Sequence, residues 1–124
     1  MGMKLFDSEL KVMEVLWRQG DRTAKEIAET LGREVGWNRN TTYTLIKRCI
    51  DKGAIRRSEP HFLCHALIDK AAVQSDEADA LIDKMFDGSA GLLFSNLIRR
   101  KRISPEELAQ LQALVDGLEE TKGG

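Results

Sequence analysis

Hydrogen-bonding side chains recur along one face of a helix predicted in the middle of the chain. Asn38 can cap this helix, which is predicted to run to Lys52 before Gly53 stops it. Its inward face is predicted to consist of Leu45, Ile46, Cys49 and Ile50. The opposite face then carries Arg39, Asn40, Tyr43, Thr44, Lys47 and Arg48. Such side chains suit base edges in the major groove, although an ordinary solvated helix face is the alternative.

Further cationic side chains follow on a predicted hairpin. Residues 54–57 and 62–68 have the pattern of two short strands, with a turn at residues 58–60. Arg56, Arg57 and His61 lie on or beside this hairpin, where side chains often meet phosphates. The alternative is a cationic strand edge that only discourages aggregation.

Metal binding and catalysis fit the residue pattern poorly. His61, Cys64 and His65 are close in sequence, but strand alternation points Cys64 and His65 to opposite faces, and a fourth ligand is missing. Cys49 is predicted to be a small core residue. The two cysteines form no Cys-x-x-Cys motif, so no disulfide framework is expected. The chain lacks a Ser/His/Asp order and a glycine-rich phosphate loop, so we predict no enzyme, no cofactor and no metal.

Two earlier helices place the basic helix in a recognisable arrangement. The first is predicted over Asp7–Gln19, and the second begins at a capping box of Thr23 and Glu26 and stops before Gly32. Three helices followed by a hairpin are typical of a winged helix-turn-helix. The sequence therefore predicts a DNA-binding domain at residues 1–72.

The rest of the chain, residues 73–124, is predicted to form three short amphipathic helices. The first has its apolar pattern from Ala78 and ends at Gly88, and the last begins at Ser104 and Pro105. So few residues cannot bury their apolar stripes alone, which predicts pairing with a second copy. The candidate dimerisation residues are Leu81, Ile82, Met85, Phe86, Leu93, Phe94, Leu97, Leu108, Leu111 and Val115. The predicted fold is thus mainly α, a winged helix with a β-hairpin wing plus a dimerisation module.

Charge is distributed unevenly between these two parts. The chain has a net charge of −1, but residues 1–70 carry 13 basic and 10 acidic side chains, and residues 71–124 carry 6 and 10. Residues 33–57 have a local net charge of +5, where a polyanion would dock. The chain has no apolar run of about 18 residues and no signal-peptide pattern. We therefore expect a cytoplasmic protein without membrane contact.

Several segments resemble the BlaI/MecI/CopY family of penicillinase and copper-responsive repressors. They are residues 5–17 (LFDSELKVMEVLW), 23–27 (TAKEI), 37–53 (WNRNTTYTLIKRCIDKG) and 85–89 (MFDGS). The resemblance implies a homodimeric repressor that binds a palindromic double-stranded DNA operator. It also implies that Asn40, Thr41, Tyr43, Thr44 and Arg48 contact DNA. Thr42 and Cys49 depart from the aliphatic residues usual at their positions.

The same resemblance implies a route of release. Family members that control β-lactamase are inactivated by proteolysis in the dimerisation region, and their cut falls at Asn96 and Leu97 of this chain. A signalling protease is therefore an implied partner. Copper-responsive members carry paired cysteines near the C-terminus, which residues 115–124 lack, so copper sensing is not expected.

A winged-helix adaptor that binds a protein is the alternative function. It predicts a monomer or heteromer with weak DNA affinity that does not depend on sequence. A repressor instead predicts a homodimer with specific DNA affinity.

Overall fold

The computed structural model describes residues 3–123, which form six helices and three short strands. In chain order they are α1 (Asp7–Gln19), β1 (Arg22–Thr23), α2 (Ala24–Val35), α3 (Arg39–Asp51), β2 (Ile55–Ser58), β3 (Leu63–Ala66), α4 (Lys70–Met85), α5 (Ala90–Arg99) and α6 (Pro105–Gly123). The predicted mainly helical class with a small β-hairpin is confirmed. None of the helices in the described range is long and apolar enough to span a membrane.

The chain divides into two compact units, Met1–Ala78 and Asp79–Gly124. The boundary predicted after residue 72 lies in the first turn of α4, before the point at which the units divide. Unit 1 contains α1, α2, α3 and the sheet, and it holds the hydrophobic core. The main core side chains are Val12, Met13, Val15, Leu16, Ile27, Leu31, Leu45, Ile46, Cys49, Ile55 and Cys64.

The ends of α2 explain how the helix-turn-helix is spaced. At its start, Thr23 Oγ1 accepts from the Glu26 N–H at 3.1 Å, and Glu26 Oε1 accepts from the Thr23 N–H at 2.9 Å. The end predicted before Gly32 is wrong, because the helix continues to Val35. Gly36 has a φ of +75°, and this left-handed conformation ends the helix.

The sheet has the strand order β1-β3-β2 and is antiparallel throughout. Strands β2 and β3 form the predicted hairpin, with Arg56 opposite His65 and Arg57 opposite Cys64. Strand β1 was not predicted from the sequence. Because Ile55 and Cys64 are buried, the face of the hairpin that they share with Arg57 is the inner one. Beyond β3, the indole Nε1 of Trp17 donates to the Ile68 carbonyl at 3.0 Å.

Unit 2 consists of the second half of α4 together with α5 and α6. Helix α4 begins at Lys70, earlier than the start predicted near Ala78. The sequence pattern does not reveal the first turns because they lack repeated large apolar residues. Ser89 caps α5 by accepting from the Leu92 N–H at 3.2 Å. The predicted start of α6 is confirmed, since Ser104 and Glu107 form a reciprocal capping box. Between residues 79 and 118, where side chains are described, none is fully buried.

Candidate nucleic-acid interface and pairing surface

Helix α3 carries most of the side chains predicted to contact DNA. Its N-cap is confirmed as Asn38, whose Oδ1 accepts from the Thr41 N–H at 2.8 Å. Only residues 36–38 separate α2 from α3, as expected of a helix-turn-helix. The inward face is buried as predicted at Leu45, Ile46 and Cys49, and Thr42 joins it, while Ile50 is half-buried. This packing fixes which face of α3 points outward.

The outward face of α3 presents an exposed polar stripe. Asn40, Thr44 and Lys47 follow i, i+4, i+7 spacing and are all exposed. Thr41 and Arg48 flank the stripe on one side, and both are exposed. The half-buried Tyr43 flanks it on the other side, and Arg39 is exposed in the first turn. The structure therefore brings the seven predicted side chains of α3 onto one accessible surface.

Beside this stripe lies an open groove with a volume of about 520 Å³. It is lined by Ser8, Trp37, Asn38, Asn40, Thr41, Thr44, Leu45 and Arg48. Four of the predicted DNA contacts, Asn40, Thr41, Thr44 and Arg48, share this groove with the start of α1. The half-buried Trp37, whose position in the sequence fits either the core or the flank of the DNA, also lines it.

The three predicted wing residues have different surroundings. Arg56 is exposed on the outer face of the hairpin. Arg57 is also exposed, but its Nε lies 2.6 Å from Glu59 Oε1, and its guanidinium lies 3.6 Å from the centre of the Phe62 ring. His61 is exposed in the turn with a φ of +73°. The wing thus carries one cation held by protein groups and one, Arg56, directed outward.

Pairing within the protein separates the cations near α3 into two groups. Lys52 pairs with Glu9, and Arg57 pairs with Glu59. Among residues 3–123, the side chains of Arg39, Lys47, Arg48 and Arg56 form no hydrogen bond or ion pair, although the charge of Arg48 contributes to lowering the pKa of Glu9. These four side chains are therefore available to contact phosphates or guanine edges.

A buried carboxylate connects the start of α1 to the end of α3. Glu9 is fully buried, and its Oε1 accepts from Lys52 Nζ at 2.6 Å and from the Phe6 N–H at 2.8 Å. Lys52 Nζ also donates to the Lys4 carbonyl at 2.8 Å and lies 4.2 Å from the centre of the Phe6 ring. Burial alone would raise the pKa of Glu9, but the hydrogen bonds from Lys52 and Phe6 and the nearby positive charges lower it overall.

Cys49 and Cys64 are buried in the interior, and His65 makes hydrogen bonds on the sheet. Burial raises the pKa of the Cys49 thiol to about 12 and that of Cys64 to about 11, so both stay protonated at neutral pH. On the other face of β3, His65 Nδ1 lies 2.7 Å from Asp21 Oδ2, and its Nε2 lies 2.8 Å from Ser58 Oγ. This chain of hydrogen bonds ties the turn after α1 to the wing. Among residues 3–123, no group of His, Cys, Asp and Glu side chains is arranged to hold a metal ion.

The predicted dimerisation residues form an apolar surface on their own unit. Leu81, Met85, Phe94, Leu108 and Val115 are exposed, with Met85 at 62 %. The other five, Ile82, Phe86, Leu93, Leu97 and Leu111, are half-buried. An apolar groove of about 330 Å³ between α5 and α6 is lined by Phe94, Ile98, Ile103, Leu108, Leu111, Gln112 and Val115. So much exposed apolar surface is typical of an interaction site.

Two pairs of residues that support the interface are not identifiable from the sequence alone. Glu9 and Lys52 meet across 43 positions, a separation at which no local spacing rule applies. The sequence pattern puts Glu59 and Phe62 in or beside the wing turn but indicates no role for them. The ring of Phe62 lies 5.9 Å from that of Tyr43, in an edge-to-face arrangement. The available signal was an aromatic residue two positions after Pro60 of the wing turn.

Comparisons with known proteins agree with this arrangement. The penicillinase repressor family model matches residues 5–117. The chain is 23 % identical to the penicillinase repressor of Bacillus licheniformis over 91 % of this chain and 90 % of that protein. It is 24 % identical to the methicillin resistance regulatory protein MecI of Staphylococcus aureus over 91 % of this chain and 94 % of that protein. The solution structure of the DNA-binding domain of the repressor BlaI is similar, with a TM-score of 0.51, 28 % identity, and coverage of 55 % of this chain and 85 % of that one.

Proposed function

Since this chain belongs to the penicillinase repressor family, and is therefore a transcriptional regulator rather than an enzyme, we propose that it represses transcription as a homodimer on a palindromic DNA operator. The observation that carries this proposal is the exposed polar stripe of α3 together with the side chains that flank it. Seven donor and acceptor side chains point outward from a helix whose opposite face is buried in the core. A helix presented in this way fits the width of the major groove.

Each side chain has a proposed role on DNA. Asn40, Thr41, Tyr43, Thr44 and Arg48 contact bases or adjacent phosphates, because they lie on the stripe or at its edges. Arg39, Lys47 and Arg56 contribute mainly charge attraction to phosphates, and His61 can donate a hydrogen bond to a phosphate from the wing turn. The outward direction of Arg56 on the hairpin supports its role in charge attraction.

The apolar surface of unit 2 supports the proposed homodimer. A second copy presents the same surface, so two-fold pairing covers the exposed side chains of α4, α5 and α6. In this proposal the residues before α4 bind DNA, and the helices of residues 73–124 pair. Two recognition helices then read half-sites whose centres lie about 10 base pairs, or a multiple of that, apart.

Release by a signalling protease is the remaining part of the proposal. The candidate bond between Asn96 and Leu97 lies inside α5. The Asn96 carbonyl accepts from the Arg100 N–H at 3.1 Å, and the Leu97 carbonyl accepts from the Arg102 N–H at 2.9 Å. Proteases bind extended chains, so the end of α5 must unwind before cleavage. Mass spectrometry of the protein from induced cells should find fragments that end at Asn96 and start at Leu97, and an intact chain would contradict this route.

The test of DNA recognition compares two labelled duplexes by anisotropy. One duplex comes from the region upstream of the gene for this protein, and the other has the same composition in shuffled order. We expect tight binding to the first alone. If about six phosphates are neutralised, the logarithm of affinity should fall with the logarithm of salt concentration at a slope near −5. Equal weak binding to both duplexes, with a monomer in sedimentation, would favour the adaptor.

Substitutions on the stripe and beside it separate base reading from charge attraction. Arg48→Ala and Thr44→Ala should each weaken binding to the upstream duplex by about 1–3 kcal/mol and change binding to the shuffled duplex much less. Lys47→Gln is the matched control, because removing a charge that attracts phosphates lowers both affinities together. Equal decreases on both duplexes for Arg48→Ala would mean that Arg48 binds phosphate as well.

A further inference from the structure

Phe62 connects three elements around the proposed DNA surface. Its ring meets Tyr43 of α3 edge to face, at 5.9 Å between centroids and an interplanar angle of 83°. Its carbonyl accepts from the N–H of Ala24, the first residue of α2, at 2.9 Å. Its own N–H donates to Glu59 Oε2 at 3.2 Å. Phe62 therefore touches both helices of the helix-turn-helix from the wing.

The backbone of the wing turn is held in an unfavourable conformation at this point. His61 has a φ of +73° and Phe62 a φ of +53°, although neither is glycine. Left-handed conformations are rare for bulky side chains and persist only where surrounding contacts enforce them. The hydrogen bonds to Ala24 and Glu59, together with the ring contacts of Phe62, are the contacts that enforce it here.

Arg57 and Glu59 complete this arrangement. Arg57 lies on the inner face of the hairpin, in register with the buried Cys64. Its guanidinium covers the Phe62 ring at 3.6 Å, and its Nε donates to Glu59 Oε1 at 2.6 Å. Hydrogen bonds from the Phe62 N–H and from Arg57 lower the pKa of Glu59, so this carboxylate stays charged at neutral pH. Tyr43, Arg57, Glu59 and Phe62 thus form one connected group, which we call the wing cluster.

We propose that the wing cluster sets the position of the wing against α3, and that Arg57, Glu59 and Phe62 support base recognition through Tyr43 without contacting DNA themselves. The proposal rests on the DNA-binding function proposed above. It reverses the role expected of Arg57, whose charge is held by Glu59 and whose guanidinium faces an aromatic ring. Arg57, Glu59 and Phe62 are then positioning residues, and Arg56 is the arginine of the wing that binds phosphate.

For Glu59→Gln, a positioning role and a purely electrostatic role of Glu59 predict changes of opposite sign in the affinity for the upstream duplex. Removing a negative charge near DNA should raise affinity for any duplex if Glu59 acts only through its charge. If the wing cluster positions the wing, Glu59→Gln should instead lower affinity for the upstream duplex about tenfold, an effect comparable to removing one base-reading side chain. Binding to the shuffled duplex should stay constant or rise. Asp51→Asn, an exposed acid on α3 outside the cluster, is the matched control and should raise both affinities together.

The two arginines of the wing provide a second comparison. Arg56→Gln should reduce the magnitude of the salt slope by about 0.9 for each protomer, on both duplexes, because one phosphate fewer is neutralised. Arg57→Gln should leave the slope unchanged and lower the ratio of specific to nonspecific affinity about tenfold. A slope change in Arg57→Gln equal to that of Arg56→Gln, together with tighter specific binding by Glu59→Gln, would overturn the proposal.

Phe62→Leu separates positioning from folding. Leucine keeps most of the apolar bulk but removes the ring that meets Tyr43 and Arg57. We expect a cooperative melting transition together with a loss of specificity, and the combination with Tyr43→Leu should lose little more than either change alone. Additive losses, or an unchanged affinity ratio in Phe62→Leu, would overturn the proposal for the wing cluster but not the proposed DNA-binding function. A wild-type protein that binds both duplexes alike would overturn the proposed function as well.

Discussion

Thr42 has an unusual environment for a hydroxyl-bearing residue. Its side chain is fully buried on the inner face of α3, and its Oγ1 has no hydrogen-bond partner among residues 3–123. A buried hydroxyl without a partner loses its hydrogen bonds to water and gains none in return. The resemblance to the family marks Thr42 as a departure from aliphatic residues, and its burial gives that departure a free-energy cost.

Thr42→Val should therefore stabilise the protein. Valine has the same shape as threonine but no hydroxyl, so the free energy of unfolding should rise by about 1 kcal/mol. Urea denaturation measures this change. Thr44→Val, at an exposed position of the same helix, controls for the change in helix propensity and should have a much smaller effect. A loss of stability in Thr42→Val would mean that the hydroxyl has a partner in solution.

At the scale of elements, the contact between Glu9 and Lys52 joins α1 to the end of α3. Because the pKa of Glu9 is lowered in the folded protein, its contribution to stability is present above its unfolded value of about 4.5. That contribution is lost as the pH falls through the folded value. The position of α3 relative to α1 thus depends partly on a charge that is removed in acid.

Lys52→Met should lower the free energy of unfolding at pH 7 by about 3 kcal/mol, because it leaves a buried carboxylate without its counter-charge. The difference from wild type should shrink toward pH 4, where Glu9 can take up a proton in the variant. Urea denaturation at both pH values measures this. Arg18→Met breaks the exposed pair of Arg18 with Glu34 and should change stability far less. A pH-independent difference would assign the loss to packing.

Gly32 shows that a glycine after an apolar stripe does not always end a helix. It lies inside α2 and is exposed, and a Cβ there would lie 3.6 Å from the Trp37 carbonyl oxygen, an ordinary contact. Gly32→Ala should therefore stabilise the protein by about 0.5–1 kcal/mol, since alanine restricts the unfolded chain and favours helix. Thermal unfolding checks this. Gly36→Ala is the control and should destabilise, because its φ of +75° is strained for alanine.

Capping boxes and helical periodicity are local signals, and they predicted helix starts and helix faces well. The boxes at Thr23 and Ser104 fixed two helix starts, and the period of Leu45, Ile46 and Cys49 identified the outward face of α3. Strand β1 escaped prediction because two residues pair with β3, far along the chain. The contact of Phe62 with Tyr43 escaped for the same reason, since it depends on how the wing folds back onto α3.

For the whole molecule, the contrast between the two units is the main feature. Unit 1 has a closed core, whereas the described side chains of residues 79–118 include none that is fully buried. Amphipathic helices with wide apolar stripes need a partner to cover them. The helical periodicity of the sequence predicts these stripes, and in the proposed homodimer the same stripes of a second copy would cover them.

Val115→Glu should weaken the proposed homodimer. The Val115 side chain is 47 % exposed in the single chain, so a glutamate there should not prevent folding of the protomer. Pairing would bury that charge, and the dissociation constant should rise at least tenfold. Sedimentation velocity over a range of concentrations measures the change. Ala113→Glu adds the same charge on the side of α6 opposite Val115 and should leave the dimer intact.

An unchanged sedimentation profile for Val115→Glu would place the pairing surface elsewhere. If the substitution does produce monomers, affinity for the upstream duplex should fall with it, because each protomer then binds one half-site independently. The loss should be greatest at low protein concentration.

The position of Trp37 in the groove beside α3 makes the protein its own optical probe. The chain has two tryptophans, and the other, Trp17, is tied to Ile68 by its indole N–H. In a Trp17→Phe variant the remaining indole emission would come from a ring next to the arriving DNA, and it should shift and quench on addition of operator. Emission from Trp17 in a Trp37→Phe variant should stay nearly constant. Unlabelled protein could thus report occupancy of its operator in real time.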